Sequence, residues 1–451
     1  MANNIKEYFL KIILLFIVAS TPTFAGCSTN ELPEPLPPVV DEIGNEWVIY
    51  EVYPGLYEHQ NAFNAISNRL DEIAELGVNV IWLMPIYEQG VEKAIGSPYS
   101  IKDYKKVNAN YGTVEELKLL VAKAKSKDMK VILDWVANHT SWDNSWIENK
   151  DWYTQDANGN IVSPPGMNWN DVADLNFSST AMRNAMIDAM KYWVTEVGVD
   201  GYRCDYAEGV PGDFWEDAID ALKVIKKDDL LMLAEGGKAE LFSYGFDIVY
   251  GWDFAYKLKD LYSGKITTNG LYESHRKEYE QLKDGQQRMR YSTSHDMSSD
   301  ESPIESFNGE RGAISAFVIS VTMGGTPMLY SSQEIGYDTP LSFFRQNTLD
   351  WNSNPSYTAE YKKIMNIYTT SDALKKGVVK TFNTPGVVSV LRESQNEEVL
   401  IMVNTTNQIV EVKPPIAYAQ SEALNLVNKK TETLPSLITL EPYEYNIWKV
   451  K

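Results

Sequence analysis

The sequence predicts a parallel (β/α)8 barrel, the TIM-barrel fold, followed by a C-terminal antiparallel β domain. Eight short apolar runs recur along the chain, as is typical of parallel strands covered on both faces. Several of these runs end on an acidic or basic side chain, which is where such barrels carry their reactive groups. The runs are residues 47–52, 79–84, 131–134, 201–205, 231–235, 247–250, 288–296 and 326–330.

The segments between the runs carry helical periodicity. One helix is predicted behind an N-cap at Ser178 or Ser179, and Gly198 ends it directly before the next strand. Gly77 ends another helix in the same way. This order of helix, glycine and strand is that of repeated βα units. The apolar residues that define the first helix are Met182, Met186, Met190, Trp193 and Val197.

The pattern changes at about residue 377. Alternating β runs, such as residues 387–391 and 399–403, follow this point. Alternation is typical of antiparallel strands with one buried face. We therefore predict a barrel domain over residues 46–376 and a C-terminal β domain over residues 377–451.

The first 26 residues are predicted to be a lipoprotein signal peptide. Lysines precede the apolar stretch 12–19, which is too short to span a bilayer. The segment 23–27 resembles a bacterial lipobox, with Phe24 in place of the usual leucine. In this interpretation Cys27 carries the lipid anchor, and the proline-rich residues 27–45 form a tether. A plain cleaved signal with an incidental cysteine is the alternative.

Charge and cysteine content narrow the function classes. The formal net charge is −21, and no stripe of lysine and arginine is present, so nucleic acid is not expected as a partner. The chain has two cysteines, one of them predicted to hold the anchor. Cys204 then has no disulfide partner, and its place in an apolar run predicts a small buried core residue.

Three carboxylates are predicted to meet at one barrel mouth. Asp205, Glu235 and Asp296 each follow a strand-like run, and Arg203 lies two residues before Asp205 on the same strand face. Paired carboxyl groups are what glycoside hydrolysis requires, with a spacing of roughly 5 Å in retaining enzymes. The arginine would favour the ionised form of Asp205, whereas an apolar setting would keep the acid, Glu235, protonated.

At these positions the chain resembles the α-amylase family, glycoside hydrolase family 13. The resemblance covers nearly the whole chain after the leader, and four motifs occur in the family's order. The four motifs are Asp134-Trp-Val-Ala-Asn138-His139, Gly201-Tyr-Arg203-Cys-Asp205, Ala234-Glu235-Gly and Ser294-His295-Asp296.

The resemblance implies a role for each carboxylate. Asp205 would be the nucleophile and Glu235 the general acid/base. Asp296 would bind sugar hydroxyls and favour the distorted transition state. Arg203 would orient Asp205.

The resemblance also implies four substrate-binding residues. His139 and His295 would hydrogen-bond the sugar at the cleaved bond, and Asp134 would support them. Tyr99 would be the aromatic platform on which the same sugar stacks.

Residues 140–174 resemble the domain that this family inserts after the third barrel strand, and the C-terminal domain resembles its β-sandwich. The insert is rich in tryptophan, and these rings either line outer sugar subsites or pack the insert. They are Trp142, Trp146, Trp152 and Trp169.

Calcium is the one metal that the resemblance implies. Asn138 and Asp174 fall where the family places calcium ligands, and both offer hard oxygen donors. Two departures leave the ion and the substrate preference open, since Ser294 replaces a common asparagine and Glu208-Gly209 replace a Lys-His pair. The alternative is that Asn138 and Asp174 serve only as hydrogen-bonding residues.

The sequence hypothesis is a monomeric, lipid-anchored, retaining hydrolase that cleaves internal α-1,4 bonds of starch or maltooligosaccharides. It implies no organic cofactor and a place in the bacterial cell envelope, at the outer membrane surface or the periplasmic face. Related activities would preserve the same motifs: neopullulanase, cyclomaltodextrinase, oligosaccharide α-glucosidase and transglycosylase. A non-catalytic glycan-binding protein is the alternative from another class.

Overall fold

The computed structural model describes residues 47–283 and 285–451. The signal peptide predicted for residues 1–26, the lipid anchor at Cys27 and the tether over residues 27–45 lie outside the described residues. Within the described ranges, no helix is long and apolar enough to cross a membrane.

Eight parallel strands close into a barrel in which neighbours in the chain are neighbours in space, and the last strand pairs with the first. The prediction of a (β/α)8 barrel is confirmed, and every predicted run overlaps one barrel strand. The strands are β1 (Ile49–Val52), β2 (Val80–Leu83), β3 (Lys130–Val136), β4 (Gly201–Asp205), β5 (Leu231–Ala234), β6 (Ile248–Tyr250), β7 (Gln287–Arg290) and β8 (Thr326–Tyr330).

Two strand boundaries differ from the sequence prediction. The run 288–296 is not a single strand, because β7 stops at Arg290 and His295 opens a helix. Ser294 caps that helix by accepting from the Met297 amide at 3.5 Å. Asp134 lies inside β3 rather than at its end, since the strand continues to Val136.

Helices join the strands and cover the barrel. Of the two predicted caps, Ser178 and Ser179, the structure has Ser179, whose hydroxyl accepts from the Met182 amide. The last turn before Gly198 widens into a π-helix. In the described residues the α-helices are α1 (Ala62–Ala74), α2 (Val114–Lys125), α3 (Thr180–Tyr192), α4 (Gly212–Lys226), α5 (Trp252–Tyr262), α6 (Thr268–Tyr279), α7 (His295–Asp300), α8 (Pro303–Ser306), α9 (Glu310–Thr322), α10 (Pro355–Thr370) and α11 (Asp372–Lys376).

One glycine permits the close approach of β4 and β5. Gly201 has φ +153°, and a Cβ built there would lie 1.8 Å from the Leu231 carbonyl oxygen. A side chain at this point would push apart the two strands that carry Asp205 and lead to Glu235.

The insert follows β3, as expected. Two short antiparallel strands, His139–Ser141 and Val172–Asp174, frame it. Between them lie 3-10 turns at Ser145–Glu148 and Lys150–Trp152. A second small hairpin, formed by Tyr87–Gln89 and Ile101–Val107, follows β2 and carries Tyr99 in its connecting loop.

The C-terminal region is an antiparallel sandwich, which confirms the predicted fold class. A six-stranded sheet faces a two-stranded one, and their apolar side chains share a core that includes Leu400, Met402 and Leu440. The strands are β9 (Val378–Phe382), β10 (Val387–Glu393), β11 (Glu398–Asn404), β12 (Val410–Val412), β13 (Glu422–Asn425), β14 (Lys430–Thr433), β15 (Ile438–Leu440) and β16 (Tyr445–Lys449).

Candidate active site

A single buried arginine joins three carboxyl groups. Arg203 on β4 is fully buried, and its Nη1 lies 2.9 Å from both Asp134 Oδ1 and Asp205 Oδ1. Its Nη2 lies 2.7 Å from Glu235 Oε1. The Nε donates to the Tyr250 hydroxyl at 3.2 Å. Because one rigid guanidinium contacts Asp205 and Glu235 together, these two carboxyl groups are held close to each other.

The surroundings of Asp205 and Glu235 give the two carboxyl groups different pKa values. Burial raises the pKa of Glu235 to about 7, against the opposing charge of Arg203 and with support from the charges of Asp205 and Asp296. Burial raises the pKa of Asp205 to about 6, again against the guanidinium. The setting of Glu235 is therefore not simply apolar, as the sequence suggested, because the same arginine contacts it. Glu235 still holds its proton to higher pH than Asp205 does.

The backbone after Asp205 fixes the orientation of Glu235. Tyr206 has a left-handed conformation, with φ +43°. Its amide donates to Glu235 Oε2 at 2.6 Å. One carboxyl oxygen of Glu235 thus contacts this amide and the other contacts Arg203, which leaves the group little rotational freedom.

His295 is held from both sides. Its Nδ1 forms a short contact with the carboxylate of Glu51, and its Nε2 lies 2.8 Å from the Tyr99 hydroxyl. Burial alone would lower the pKa of His295, but the charges of Asp296 and Glu51 outweigh burial and raise it to about 9. The imidazolium therefore donates from both ring nitrogens.

Asp134 is the polar centre beneath this cluster. It is fully buried, and its Oδ2 accepts from Trp82 Nε1 at 3.1 Å and from the Tyr99 hydroxyl at 3.3 Å. Its other oxygen contacts Arg203. This carboxylate is therefore enclosed by its hydrogen-bond partners, and its supporting role stays a prediction.

His139 lies at the junction of the barrel and the insert. Burial lowers its pKa to about 4, so the ring is neutral near pH 7. Its ring centroid lies 5.6 Å from that of Trp169, which in turn lies 5.2 Å from Tyr206. Of the four insert tryptophans, Trp169 is the one that these contacts bring beside the site.

The other three insert tryptophans have packing partners. Trp146 and Trp152 stack edge to face with centroids 5.3 Å apart. Trp142 is covered by the ammonium of Lys93, 3.2 Å from the ring centroid. These contacts favour the packing alternative for the three rings.

Asp296 is the most accessible of the three predicted catalytic carboxylates. Its side chain is 55% exposed, compared with 13% for Asp205 and for Glu235. Its Oδ1 lies 3.4 Å from His295 Nε2. An exposed carboxylate beside two mostly buried ones can accept hydrogen bonds from the hydroxyl groups of a ligand in the cleft.

The two predicted calcium ligands lie at the base of the insert, Asn138 in the bend just before its first short strand and Asp174 at the end of its second. Asp174 pairs with His139 in the insert's small sheet, and the Asn138 carbonyl accepts from the Leu175 amide at 3.1 Å. Burial raises the pKa of Asp174. The two side chains fit calcium in donor type, but the part of the chain that is described holds no group of three His, Cys, Asp or Glu residues able to bind a metal. An ion there would take most of its ligands from backbone carbonyls and water.

Sequence reasoning missed four residues of the site. Glu51 offered a signal, because it is a lone carboxylate in the apolar run 47–52. Trp82 and Tyr250 lie within apolar runs and looked like ordinary core residues. Phe343, whose ring lies 5.3 Å from His295 and 5.7 Å from Tyr99, comes from a loop without any recognisable pattern.

A parallel barrel with paired carboxyl groups around a buried arginine defines a glycoside hydrolase of the barrel class. Comparison with protein-family models identifies the particular glycoside hydrolase family. The model "Alpha amylase, catalytic domain" matches residues 59–170 and 166–378. The chain belongs to the alpha-amylase family.

Relatives and solved structures agree with this assignment. "Alpha-amylase 3" of Dictyoglomus thermophilum is 24% identical in an alignment of 497 positions, gaps included, that covers 89% of this chain and 93% of the relative. A maltogenic alpha-amylase from Thermotoga neapolitana superposes with a TM-score of 0.80 at 26% identity, covering 89% and 98% of the two chains. An alpha-amylase from Lactobacillus plantarum gives a TM-score of 0.79 at 27% identity with the same coverage.

Proposed function

We propose that the protein is a retaining, endo-acting α-glucan hydrolase that cleaves α-1,4-glucosidic bonds in starch or maltooligosaccharides. The observation that carries the proposal is the contact of one guanidinium, that of Arg203, with both Asp205 and Glu235. The names of the relatives, among them the alpha-amylase from Dictyoglomus thermophilum, support the choice of glucan.

In the proposed mechanism Asp205 attacks the anomeric carbon and Glu235 protonates the leaving oxygen. The two pKa values suit these roles, because between about pH 6 and pH 7 Asp205 is ionised and Glu235 keeps its proton. A covalent glycosyl intermediate forms at Asp205 Oδ. Glu235, now ionised, takes a proton from water, which attacks the intermediate and releases the sugar with its configuration retained.

The remaining residues bind and orient the sugar at the cleaved bond. His295, held as an imidazolium by the charges of Asp296 and Glu51, and the neutral His139 donate to hydroxyl groups of the sugar. Tyr99 stacks parallel to His295, with centroids 5.7 Å apart, and offers an aromatic face. Asp296 binds a pair of hydroxyl groups as the third carboxylate.

A related specificity is the second candidate, and specific relatives favour it. "Cyclomaltodextrinase" of Geobacillus thermopakistaniensis is 23% identical over 86% of this chain and 70% of its own length. "Probable oligo-1,6-glucosidase 3" of Bacillus subtilis is 29% identical over 36% of this chain. These activities, like neopullulanase or transglycosylase activity, would use the same carboxylates.

The deciding experiment is incubation of the purified protein with soluble starch and, separately, with pullulan. A ladder of mixed oligosaccharides from starch, with pullulan intact, supports the endo-acting enzyme. Panose from pullulan, or glucose alone, favours the second candidate. The matched variant is Glu235→Gln, which keeps the shape of the side chain and cannot donate the proton. Binding without turnover in the parent would instead favour a glycan-binding protein.

We also propose that Cys27 carries a lipid anchor that holds the enzyme in the cell envelope. The support is the sequence of residues 23–27 and the proline-rich stretch after it. Expression in a bacterial host with a labelled fatty acid tests this proposal. Label in the parent and none in Cys27→Ser supports it, whereas unlabelled parent protein contradicts it.

A further inference from the structure

A second pocket lies outside the carboxylate site, where the barrel meets the C-terminal sandwich. Its volume is about 700 Å³, within the range of small-molecule sites. Five segments form its walls: the end of α5 with the loop to α6 and its first turn, the turn before α9, the β9–β10 turn, the β11–β12 turn and the β15–β16 turn. None of its lining residues belongs to the carboxylate site.

The lining of this pocket carries no formal charge. Sixteen residues line it and none is Asp, Glu, Lys, Arg or His, although Asp, Glu, Lys and Arg make up 23% of the chain. Four of the five segments instead contribute an exposed asparagine, although the amide of Asn308 also donates to the Tyr262 carbonyl at 2.9 Å. An amide offers two donors and an acceptor without charge, which suits a neutral, hydroxyl-rich ligand. The four residues are Asn269, Asn308, Asn383 and Asn407.

An aromatic pair completes the wall. The rings of Tyr443 and Tyr262 are nearly parallel, with an angle of 14° and centroids 6.1 Å apart. Tyr443 is half-buried, and its backbone has φ +57°, a conformation that is uncommon for a bulky side chain. Its amide donates to the Thr406 carbonyl, which fixes it in this position. Retention of such a conformation at a pocket wall is typical of a ligand-binding role.

We infer that this pocket binds a segment of α-glucan at a second site, separate from the site of cleavage. Sugar rings offer an apolar face for stacking on Tyr443 and a rim of hydroxyl groups for the asparagine amides. The uncharged lining excludes phosphate esters and charged peptides as preferred ligands. That the neutral sugar is an α-glucan rests on the proposed function. A second contact with the same polymer would raise the local concentration of substrate at the active site.

The test is electrophoresis of the native protein in gels that contain amylopectin, compared with gels that contain none. The parent is the full protein with Glu235→Gln, which does not degrade the polymer. Adding Tyr443→Ala is expected to weaken binding about threefold or more, because an aromatic stacking contact is lost. Tyr192→Ala is the matched control, since Tyr192 is half-buried at the end of α3 and lines neither site.

A double variant, Asn383→Ala with Asn407→Ala, covers the case in which loss of Tyr443 disturbs folding. Both asparagines are exposed on turns, so their removal leaves the core unchanged. Weaker retardation of either variant, with the control unchanged, supports the inference. Equal retardation of parent and variants, no retardation of the parent, or an equal loss in the control overturns it. Because the assay measures binding, its result is independent of whether the protein turns over starch.

Discussion

Glu51 and His295 lie 244 residues apart in the chain and form a buried ion pair beside the carboxylate cluster. The carboxylate contacts His295 Nδ1, and the opposite ring nitrogen faces Tyr99, whose hydroxyl donates to Asp134. The pair thus fixes the charge and orientation of a ring that we propose to bind substrate.

Replacing Glu51 by glutamine is expected to lower the pKa of His295, because one of two charges that raise it is removed. In the parent, the pKa of His295 is about 9 in the folded state and lower in the unfolded state, so protonation of His295 stabilises the fold. This contribution to the free energy of unfolding is complete below about pH 6.5 and is lost as pH rises through 9. It amounts to about 3 kcal/mol at most. In Glu51→Gln the loss should be smaller and occur at lower pH.

Urea unfolding of parent and variant at pH 6, 8 and 9.5 measures this difference. His59→Gln is the control, because it also removes a histidine side chain, but an exposed one. A variant with the same pH dependence as the parent would show that Glu51 does not set the charge of His295.

Replacing Arg203 by lysine should damage both stability and activity. One ammonium cannot contact Asp134, Asp205 and Glu235 together, and the carboxylates left unpaired stay buried. We expect the free energy of unfolding to fall by about 3 kcal/mol or more and kcat to fall at least about a hundredfold. The control is Arg183→Lys, whose partners Asp213 and Asp217 are exposed, so it should cost about 1 kcal/mol or less. Similar losses in the two variants would contradict the role of Arg203.

The pH profile of kcat/KM should be bell-shaped, with its maximum between about pH 6 and pH 7. Activity rises as Asp205 ionises, with a pKa of about 6, and falls as Glu235 loses its proton, with a pKa of about 7. The charge of Asp296 is one of those that raise the pKa of Glu235, so Asp296→Asn should move the alkaline limb to lower pH. If the alkaline limb does not move in this variant, the group that titrates there is not Glu235.

The barrel could be predicted from the sequence because its signals are local. Most of the eight strands are short, largely apolar runs, β7 with the sequence Gln287-Arg-Met-Arg290 being the exception, and Gly77 and Gly198 end helices with φ of +70° and +85°. Arg203 and Asp205 could be placed on one face, since residues two apart on a strand point the same way.

The rest of the site depends on contacts between distant segments, which a single sequence does not carry. The pairing of Glu51 with His295 depends on closure of the barrel, in which β1 lies next to β8. The amide of Tyr206 reaches Glu235 only because its backbone is left-handed, and tyrosine gives no local signal for that conformation. The start of α7 at His295 depends on the Ser294 cap. It was not predicted, because residues 288–296 were interpreted as one strand-like run.

Removing calcium should lower the melting temperature if Asn138 and Asp174 hold the ion proposed from the sequence. Such an ion would join the insert to the barrel and stabilise the folded state by mass action. We expect EDTA to lower Tm in the parent and to have no effect in Asp174→Asn, which should already melt at the lower temperature. The control is Asp151→Asn, an exposed aspartate on the same insert. Equal Tm of the parent with calcium and with EDTA would favour the hydrogen-bonding alternative.

Glu208, which replaces the lysine of the family's Lys-His pair, holds the loop that follows Glu235 by hydrogen bonds. Its Oε1 accepts from the amides of Gly237 and Lys238 at 2.6 and 2.9 Å, and its other oxygen lies 3.3 Å from Lys238 Nζ. Arg288 holds the same loop from the other side by donating to the Gly237 carbonyl at 2.7 Å. The loop is therefore fixed at two points next to the proposed acid.

Glu208→Ala should lower kcat about tenfold, because two amides lose their acceptor and the loop that positions Glu235 is released. Glu208→Gln keeps an acceptor oxygen for both amides and loses only the partly exposed ion pair with Lys238, so it should retain most of the activity. Steady-state kinetics on one maltooligosaccharide compares the two variants. A loss as large in the glutamine variant as in the alanine variant would assign the effect to charge, because only the alanine variant loses the acceptor.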